Sequence, residues 1–536
     1  MKKNGVVYTK EWIVNLMLDL CGYDSRIDLS RRVAVEPSCG TGVFVVQMAK
    51  RLIESCRLFG HNFDDLHGSI KAIDVCPSSI TTTKRSLSAL LTSENIDSQL
   101  SNKLIESWVI QDDFLIMPQF TSADFLVGNP PYLRSNDIDE EKKQKYLMNC
   151  QTMTPGSDLF IGFYEKGLSM LNSSGKLSFI CADRWMHNSY GKKLRKYIIE
   201  NYAVESIISM HDVNAFESNV SAYPAISTIS KATQGNVIYV EATSYFDEKE
   251  AVKLADAFER KVFQGVQNCR IGEIQAKKLT DGSWPLLLPE KQALLCDLEE
   301  HFPMLESLET GTRVGIGMAT GNDSIFLTRV KDLVEPEHLI PMITSRQLST
   351  ESVYTDPLWL VSPWNKDGSL SDLSNTKKLC DFFSNNRTVL GKRHIAKKNS
   401  GTWFRTIDNY RPGLENTPKL LIQDMHYRLE PYYDDKHYPH GNLYYITSEK
   451  WDLLVLGGLL MSFYCELFID AYGVKMRGGT LRFQAQFLRK IRVPDPDTIA
   501  NDIADALKKA FVNKDYSLAN EAASIAFGYR ENKIAV

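Results

Sequence analysis

Residues 33–43 read Val33-Ala34-Val35-Glu36-Pro37-Ser38-Cys39-Gly40-Thr41-Gly42-Val43. A short β-branched run, a proline, two glycines and an amphipathic stretch to Cys56 predict a strand, a tight loop and a helix. Gly40 and Gly42 allow the backbone to pass close to a ligand, and the start of the helix presents unpaired N–H groups. In a parallel sheet such a loop lies in the crevice beyond the carboxyl end of its strand. Taken alone, the stretch reads equally well as a plain strand-to-helix turn.

Working outward, the same alternation repeats. Ser69–Ile73 reads as a second strand with a helix behind it to Leu91, and Trp108–Ile110 and Phe125–Val127 as a third and a fourth. Leu159–Leu171 has a helical apolar face, and Leu177–Cys181 follows Gly175 as a fifth strand. Alternating strands and helices predict an α/β fold around a mainly parallel sheet. Beyond Tyr245 the alternation fades into shorter elements rich in Trp, Tyr, Asn, Gly and basic residues, with helical spacing returning over Ile499–Ala526. Two domains are expected, 1–250 and 270–536, with the boundary between Tyr245 and Pro285. Leu453–Ile469 is expected to be one buried helix, since its most apolar part, Leu453–Cys465, is too short to span a bilayer.

Composition excludes several classes. At 43% apolar and 24% charged residues the chain has the balance of a folded protein, with a core of ample size. The 62 basic and 66 acidic residues leave a net charge of -4, so any nucleic-acid surface has to be a local patch. Ten cysteines lie singly between Cys21 and Cys465 with no C-x-x-C pair, which points to no metal site and no disulfide framework. Glu11, Asn15 and Asp19 interrupt what would be the apolar core of a signal peptide. A protein of a reducing cytoplasm, without membrane or metal, is expected.

Chemistry-bearing residues sit at successive strand ends. Asp74 closes the second strand, where a carboxylate can accept both hydroxyls of a ribose. Asp113-Phe114 follows the third, offering an acceptor for an adenine amino group and a ring to stack on it. After the fourth strand and Gly128 comes Asn129-Pro130-Pro131-Tyr132. Consecutive prolines cannot donate to a ladder and stop a strand abruptly, but a rigid turn alone does not call for Asn before them and Tyr after. The exocyclic amine of adenine does. Its lone pair is delocalised into the ring, and the Asn129 side-chain oxygen and the Pro130 carbonyl can each accept one N6–H, localising the pair and aiming it. Tyr132 offers a face for an extruded base.

With these motifs the chain resembles the amino-methyltransferases, and within them the γ-class DNA adenine N6-methyltransferases of bacterial restriction-modification systems. The resemblance covers roughly the first 220 residues. It implies a Rossmann-like S-adenosylmethionine-dependent domain followed by a mixed α+β target-recognition domain with C-terminal helices. It places Thr9, in the N-terminal segment Gly5-Val6-Val7-Tyr8-Thr9, near the methionine part of the cofactor, together with Glu36, Gly40 and Gly42. Asp74 would hold the ribose, and Asp113 and Phe114 the adenine. Asn129, Pro130, Pro131 and Tyr132 would form the catalytic motif. Phe216, ahead of Val220-Ser221-Ala222, would clamp the target base from the side opposite Tyr132. Cys39 would serve packing rather than nucleophilic attack. Double-stranded DNA is the implied substrate and a cognate restriction endonuclease a possible partner. An RNA adenine methyltransferase and a modification subunit that needs a partner are the alternatives.

The second half holds the basic patches. Lys377, Lys378, Arg387, Lys392, Arg393, Lys397, Lys398, Arg405, Arg411 and Lys419 face only Asp381, Asp408 and Glu415 within one stretch, interleaved with Trp403, Phe404 and Tyr410. Such a stretch suits phosphate contacts and base-edge readout. Within it Lys397, Lys398, Trp403 and Arg405 are the chosen DNA contacts. Lys475 and Arg477, flanking Met476 and followed by Gly478-Gly479, form a second candidate.

Overall fold

In the computed structural model the described residues are 7–119, 122–218, 223–349, 356–473, 475–476 and 480–529. Two compact units divide the chain, Met1–Gln292 and Ala293–Val536.

The first unit is built on a nine-stranded sheet in the order β3-β2-β1-β4-β5-β7-β6-β8-β9. Its strands are β1 Ala34–Glu36, β2 Ile70–Asp74, β3 Val109–Gln111, β4 Ala123–Gly128, β5 Leu171–Ala182, β6 Ala203–Ser209, β7 Pro224–Ser230, β8 Val237–Ala242 and β9 Cys269–Ile274. The first five are parallel; β7 runs antiparallel to both β5 and β6. The chain winds from β1 outward to β3 and then crosses to β4 on the other side of β1, so the strand order reverses between β1 and β4. Open sheets bind their ligands at the carboxyl ends of the two strands flanking such a reversal. Those ends carry Glu36–Gly42 and Asn129–Tyr132.

The central strands have no solvent face. Every residue of β4, Ala-Asp-Phe-Leu-Val-Gly, is buried, as expected of a parallel strand covered on both sides by helices. Helices α1 Glu11–Cys21, α2 Val43–Phe59, α3 Pro77–Ser93, α4 Ser98–Trp108, α5 Glu140–Asn149 and α6 Phe160–Ser169 surround this half of the sheet. The expected strands and helices therefore form, with ends shifted by a residue or a few. The exception is β5, which begins six residues before Leu177 because Ala123 and Leu171 pair ahead of a register shift.

The unit runs past the expected boundary. Strand β9, which falls mostly within the expected second domain, pairs with β8 from Val237↔Ile274 to Ala242↔Cys269. Farther on, Trp284 is fully buried against Trp185, with ring centroids 5.2 Å apart. Neither pairing has a local signature.

Among the described residues the second unit contains two four-stranded sheets and one of three strands. Arg313–Ile316, Leu443–Thr447, Lys419–Gln423 and Tyr432–Asp434 form the antiparallel one. The expected single helix over Leu453–Ile469 is two, Leu453–Leu460 and Phe463–Tyr472, bent by 60°. At the break the Asn520 side chain accepts the Phe463 N–H at 2.7 Å, satisfying a backbone donor at the start of the second helix. No single helix among the described residues is long and apolar enough to cross a membrane. Ile499–Ala526 likewise resolves into Asn501–Asn513 and Tyr516–Ala526, separated at Lys514, whose φ is +53°.

Candidate active site at the strand-order reversal

A cavity of about 370 Å³ opens over the ends of β1, β2 and β4. Its walls include Thr9, Glu36, Gly40, Asp74, Asp113, Phe114, Asn129, Pro130, Pro131 and Tyr132, so the motifs read at successive strand ends converge on one space.

The loop after β1 is held in a strained shape by its neighbours. Gly40 and Gly42 have φ of +54° and +91°, values that L side chains rarely adopt. The Gly40 N–H donates to Asp74 Oδ2 at 2.9 Å, the Cys76 N–H to Asp74 Oδ1 at 2.7 Å, and Thr83 Oγ1 to the Gly40 carbonyl at 2.9 Å. Asp74 thus braces the loop while still lining the cavity, and its remaining lone pairs stay open to a ligand. Cys39 is 5% exposed and its thiol is pushed up by burial and by Glu36, which suits packing and not nucleophilic attack.

Glu36 is the most unusual group. It is 1% exposed, Oε2 has no hydrogen-bond partner among the described residues, and burial followed by the charge of Asp74 holds its carboxyl well above the ordinary range. A buried carboxyl left unpaired is expensive unless a ligand satisfies it.

At the end of β4 the geometry is sharper. Asn129 Nδ2 donates to the Val7 carbonyl and to Thr9 Oγ1, both at 3.0 Å. A carbonyl can only accept, so the amide nitrogen has to face it, and both its protons are consumed. Oδ1 is left as a buried acceptor without a partner among the described residues. Ser38 Oγ donates to the Asn129 backbone carbonyl at 3.1 Å, tying the motif to the glycine loop. The chain returns beside Tyr132–Ser135, with the Leu159 N–H donating to Leu133 O at 2.7 Å. That return is anchored by buried Asp158, which accepts from Arg184 at 2.7 and 2.6 Å and from Tyr190 at 2.6 Å.

Phe216 lies next to Tyr132, with ring centroids 6.3 Å apart, but their planes meet at 84°. The two rings meet edge to face, not as the parallel slot that an opposed clamp requires. Asp113 accepts from the Tyr146 hydroxyl at 2.7 Å and the Leu115 N–H at 3.1 Å. Phe114 is buried and stacks on Phe163 at 5.3 Å. The sequence reading missed Ser38, Thr83 and Tyr146, and the role of Val7 as a carbonyl acceptor. Only Ser38, inside the glycine loop, had a local signal. Gly5, Val6 and Val220-Ser221-Ala222 lie outside the described residues.

Of the basic stretch in the second unit, part is structural. Lys419 is fully buried, bonded to Asp434 at 3.0 Å and to the Thr417 carbonyl at 2.9 Å. Arg393 donates to the carbonyls of Thr320, Trp403 and Arg405, and Arg411 donates to the Tyr445 hydroxyl. Arg405 lies over the Trp364 ring and bonds Asn409, while Trp403 lies under Arg387. Lys397 and Lys398 are exposed. Arg477 and the side chain of Lys475 fall outside the described residues.

Comparison with known proteins follows the same lines. Residues 55–216 match the family described as the Eco57I restriction-modification methylase. The type II methyltransferase M.XhoI of Xanthomonas vasicola is 36% identical, with 99% of this chain and 98% of the relative aligned. M.BstVI of Geobacillus stearothermophilus, also a type II methyltransferase, is 35% identical over 94% and 92%. This chain belongs to the type II methyltransferases. Its fold is shared over 98% of its length by the type IIL restriction-modification enzyme MmeI, solved in complex with DNA, at a TM-score of 0.64 and 14% identity over 74% of that chain. The nuclease-deleted type ISP enzyme LlaGI, solved with a DNA substrate mimic, gives 0.52 at 13% identity, over 94% of this methyltransferase and 55% of LlaGI. The identification extends to the second unit, where the sequence reading had only architecture to offer.

Proposed function

We propose that the protein is a site-specific DNA methyltransferase that transfers a methyl group from S-adenosylmethionine to N6 of an adenine rotated out of duplex DNA. In this reading it is the γ-class modification enzyme of a restriction-modification system, acting beside a cognate endonuclease. The observation that carries the reading is Asn129 Oδ1, a buried acceptor with both amide protons committed behind it.

The residues suit the cofactor. Glu36 presents an unpartnered carboxyl that a cationic amino group would satisfy, near Gly40, where the loop has no side chain to obstruct it. Asp74 stands at the end of β2 for the ribose, and Asp113 and Phe114 at the end of β3 for the adenine. Bound there, S-adenosylmethionine supplies an electrophilic methyl group on a sulfonium centre.

The chain's own groups do the rest. Asn129 Oδ1 and the Pro130 carbonyl each accept one N6–H of the target adenine, drawing the nitrogen lone pair out of conjugation. The acceptors are fixed beforehand, so the stabilisation requires no reorganisation during reaction. Tyr132, 7% exposed, provides the stacking face, with the edge of its ring pair closed by Phe216. The nucleophile is the substrate amine, and the displaced N6 proton leaves to solvent after transfer. Lys397 and Lys398 are the exposed cations proposed to meet DNA phosphates.

Asn129→Ala tests the reading. Loss of a preorganised partner of the reacting group lowers the rate by about 10²–10³-fold, while cofactor affinity stays near wild type. Full methylation by that variant would remove Asn129 from the chemistry.

A further inference from the structure

We infer that Thr9 is a positioning residue for methyl transfer: its side chain holds the Asn129 amide in place by accepting its second proton, and its backbone ties that amide to the ring beside the target base. The inference rests on the proposed function, since it concerns how the acceptor oxygen is presented.

An asparagine amide has two orientations related by a half-turn, and only one is useful here. With Oδ1 toward the cavity it accepts from an amine; after the half-turn it would present N–H groups to the N–H groups of the substrate. The Val7 carbonyl, which can only accept, enforces the useful orientation, and Thr9 Oγ1 takes the second amide proton, each at 3.0 Å from Nδ2. A half-turn would set Oδ1 against the Val7 carbonyl. Thr9 is 4% exposed, so water does not readily replace its hydroxyl. Removing that hydroxyl leaves one Nδ2 proton unpaired in a buried place, and the amide is then held by Val7 alone.

The same segment reaches the base side of the site. Thr9 and Phe216 form an antiparallel bridge, the Lys10 N–H donates to Ala215 O at 3.0 Å, and the Glu217 N–H to Tyr8 O at 3.0 Å. Residues 8–10 and 215–217 thus pair as a short ladder. Thr9 points its hydroxyl at Asn129 while its backbone holds Phe216, whose ring lies beside Tyr132. The acceptor and one wall of the base pocket share a single support, more than 100 residues from either in sequence.

The test separates kcat from cofactor binding. Thr9→Val preserves shape and branching but removes the acceptor, and Thr9→Ser keeps the hydroxyl. Each is assayed on unmethylated DNA at saturating S-adenosylmethionine, with cofactor affinity by titration calorimetry. Thr9→Val is expected to lower kcat roughly ten-fold, the worth of one buried hydrogen bond, with the cofactor Kd within about two-fold, and Thr9→Ser to restore most of that rate. Thr9→Ala must show the same loss, and it stands in should the second methyl of valine prevent folding. A wild-type kcat in Thr9→Val or Thr9→Ala overturns the inference. So does a weakened cofactor Kd with unchanged kcat, which would place the hydroxyl on the cofactor. Asn129→Ala is run alongside. If it methylates at the wild-type rate, the proposed function fails; if it shows the expected loss of about 10²–10³-fold while Thr9→Val is fully active, only the role of Thr9 fails.

Discussion

Replacing Gly42 by alanine probes the loop proposed to hold the cofactor more severely than replacing Gly40, although both glycines have positive φ. At Gly42, φ is +91°, and an added Cβ would lie 3.0 Å from Thr83 Cγ2 and Oγ1 and 3.2 Å from Thr83 Cα. Thr83 cannot simply turn aside, because it is buried and its hydroxyl holds the Gly40 carbonyl at 2.9 Å. The backbone conformation costs about 1–2 kcal/mol for an L side chain, and overpacking adds about 1–3 kcal/mol. The sum, about 2–5 kcal/mol, corresponds to a cofactor Kd raised by roughly 30-fold or more if the loop yields. If the loop holds, the first unit loses a few degrees in Tm per kcal/mol instead. At Gly40 the nearest atom to an added Cβ is Tyr8 Cε1 at 3.8 Å, so only the backbone term applies, roughly a five- to thirty-fold effect. Calorimetric titration with S-adenosylmethionine and thermal unfolding of both variants measure the two routes. A Gly42→Ala protein indistinguishable from wild type in both, or one milder than Gly40→Ala, would refute the reasoning.

Further outcomes are expected in each unit. Because burial and Asp74 hold the Glu36 carboxyl well above its ordinary pKa, it stays protonated in the free protein where a free glutamate is ionised. A bound ammonium group expels that proton, so cofactor affinity rises with pH until the raised pKa is passed. The stability of the free protein runs the other way: the Glu36 contribution is complete below the free-glutamate pKa and is lost as pH rises through the raised one. Buffer-dependent binding enthalpies read the released proton, and Glu36→Gln should abolish it; enthalpies independent of buffer at every pH would contradict the assignment. In the second unit, Lys397→Ala with Lys398→Ala should weaken DNA binding and flatten the log Kd against log salt slope by about 2. Lys419→Ala should leave the slope alone but destabilise the unit by about 3–5 kcal/mol, having stripped the buried partner from Asp434. An unchanged slope in the double variant excludes those lysines from the contact surface.

How much of this was legible in the sequence follows from where the determinants lie. The strands around Val35, Ile73, Ile110 and Leu126 and the loops behind them are local features, set by apolar runs, glycines and prolines, and they appear where expected. The groups that make the site work are not local. The resemblance sets Glu36 beside the methionine, but nothing local shows that the sheet buries its carboxyl with Oε2 unpartnered among the described residues. Thr9 becomes a partner of Asn129 only because the chain before α1 is laid against residues 215–217. Lys419 carries the same charge as Lys397, yet one is sealed beside Asp434 and the other is exposed, a difference decided by strand pairing at Lys419↔Asp434. At the break between Leu460 and Phe463 the Phe463 N–H is met by Asn520, beyond any window a helical pattern can cover.

The most direct test of the central claim is the identity of the product. Unmethylated bacterial DNA is incubated with the protein and methyl-labelled S-adenosylmethionine, digested to nucleosides and resolved by mass spectrometry. The account predicts label in N6-methyladenine, appearing about 10²–10³-fold more slowly when Asn129→Ala replaces the wild type. Label in N4-methylcytosine, or methylation of RNA with DNA left untouched, would contradict it.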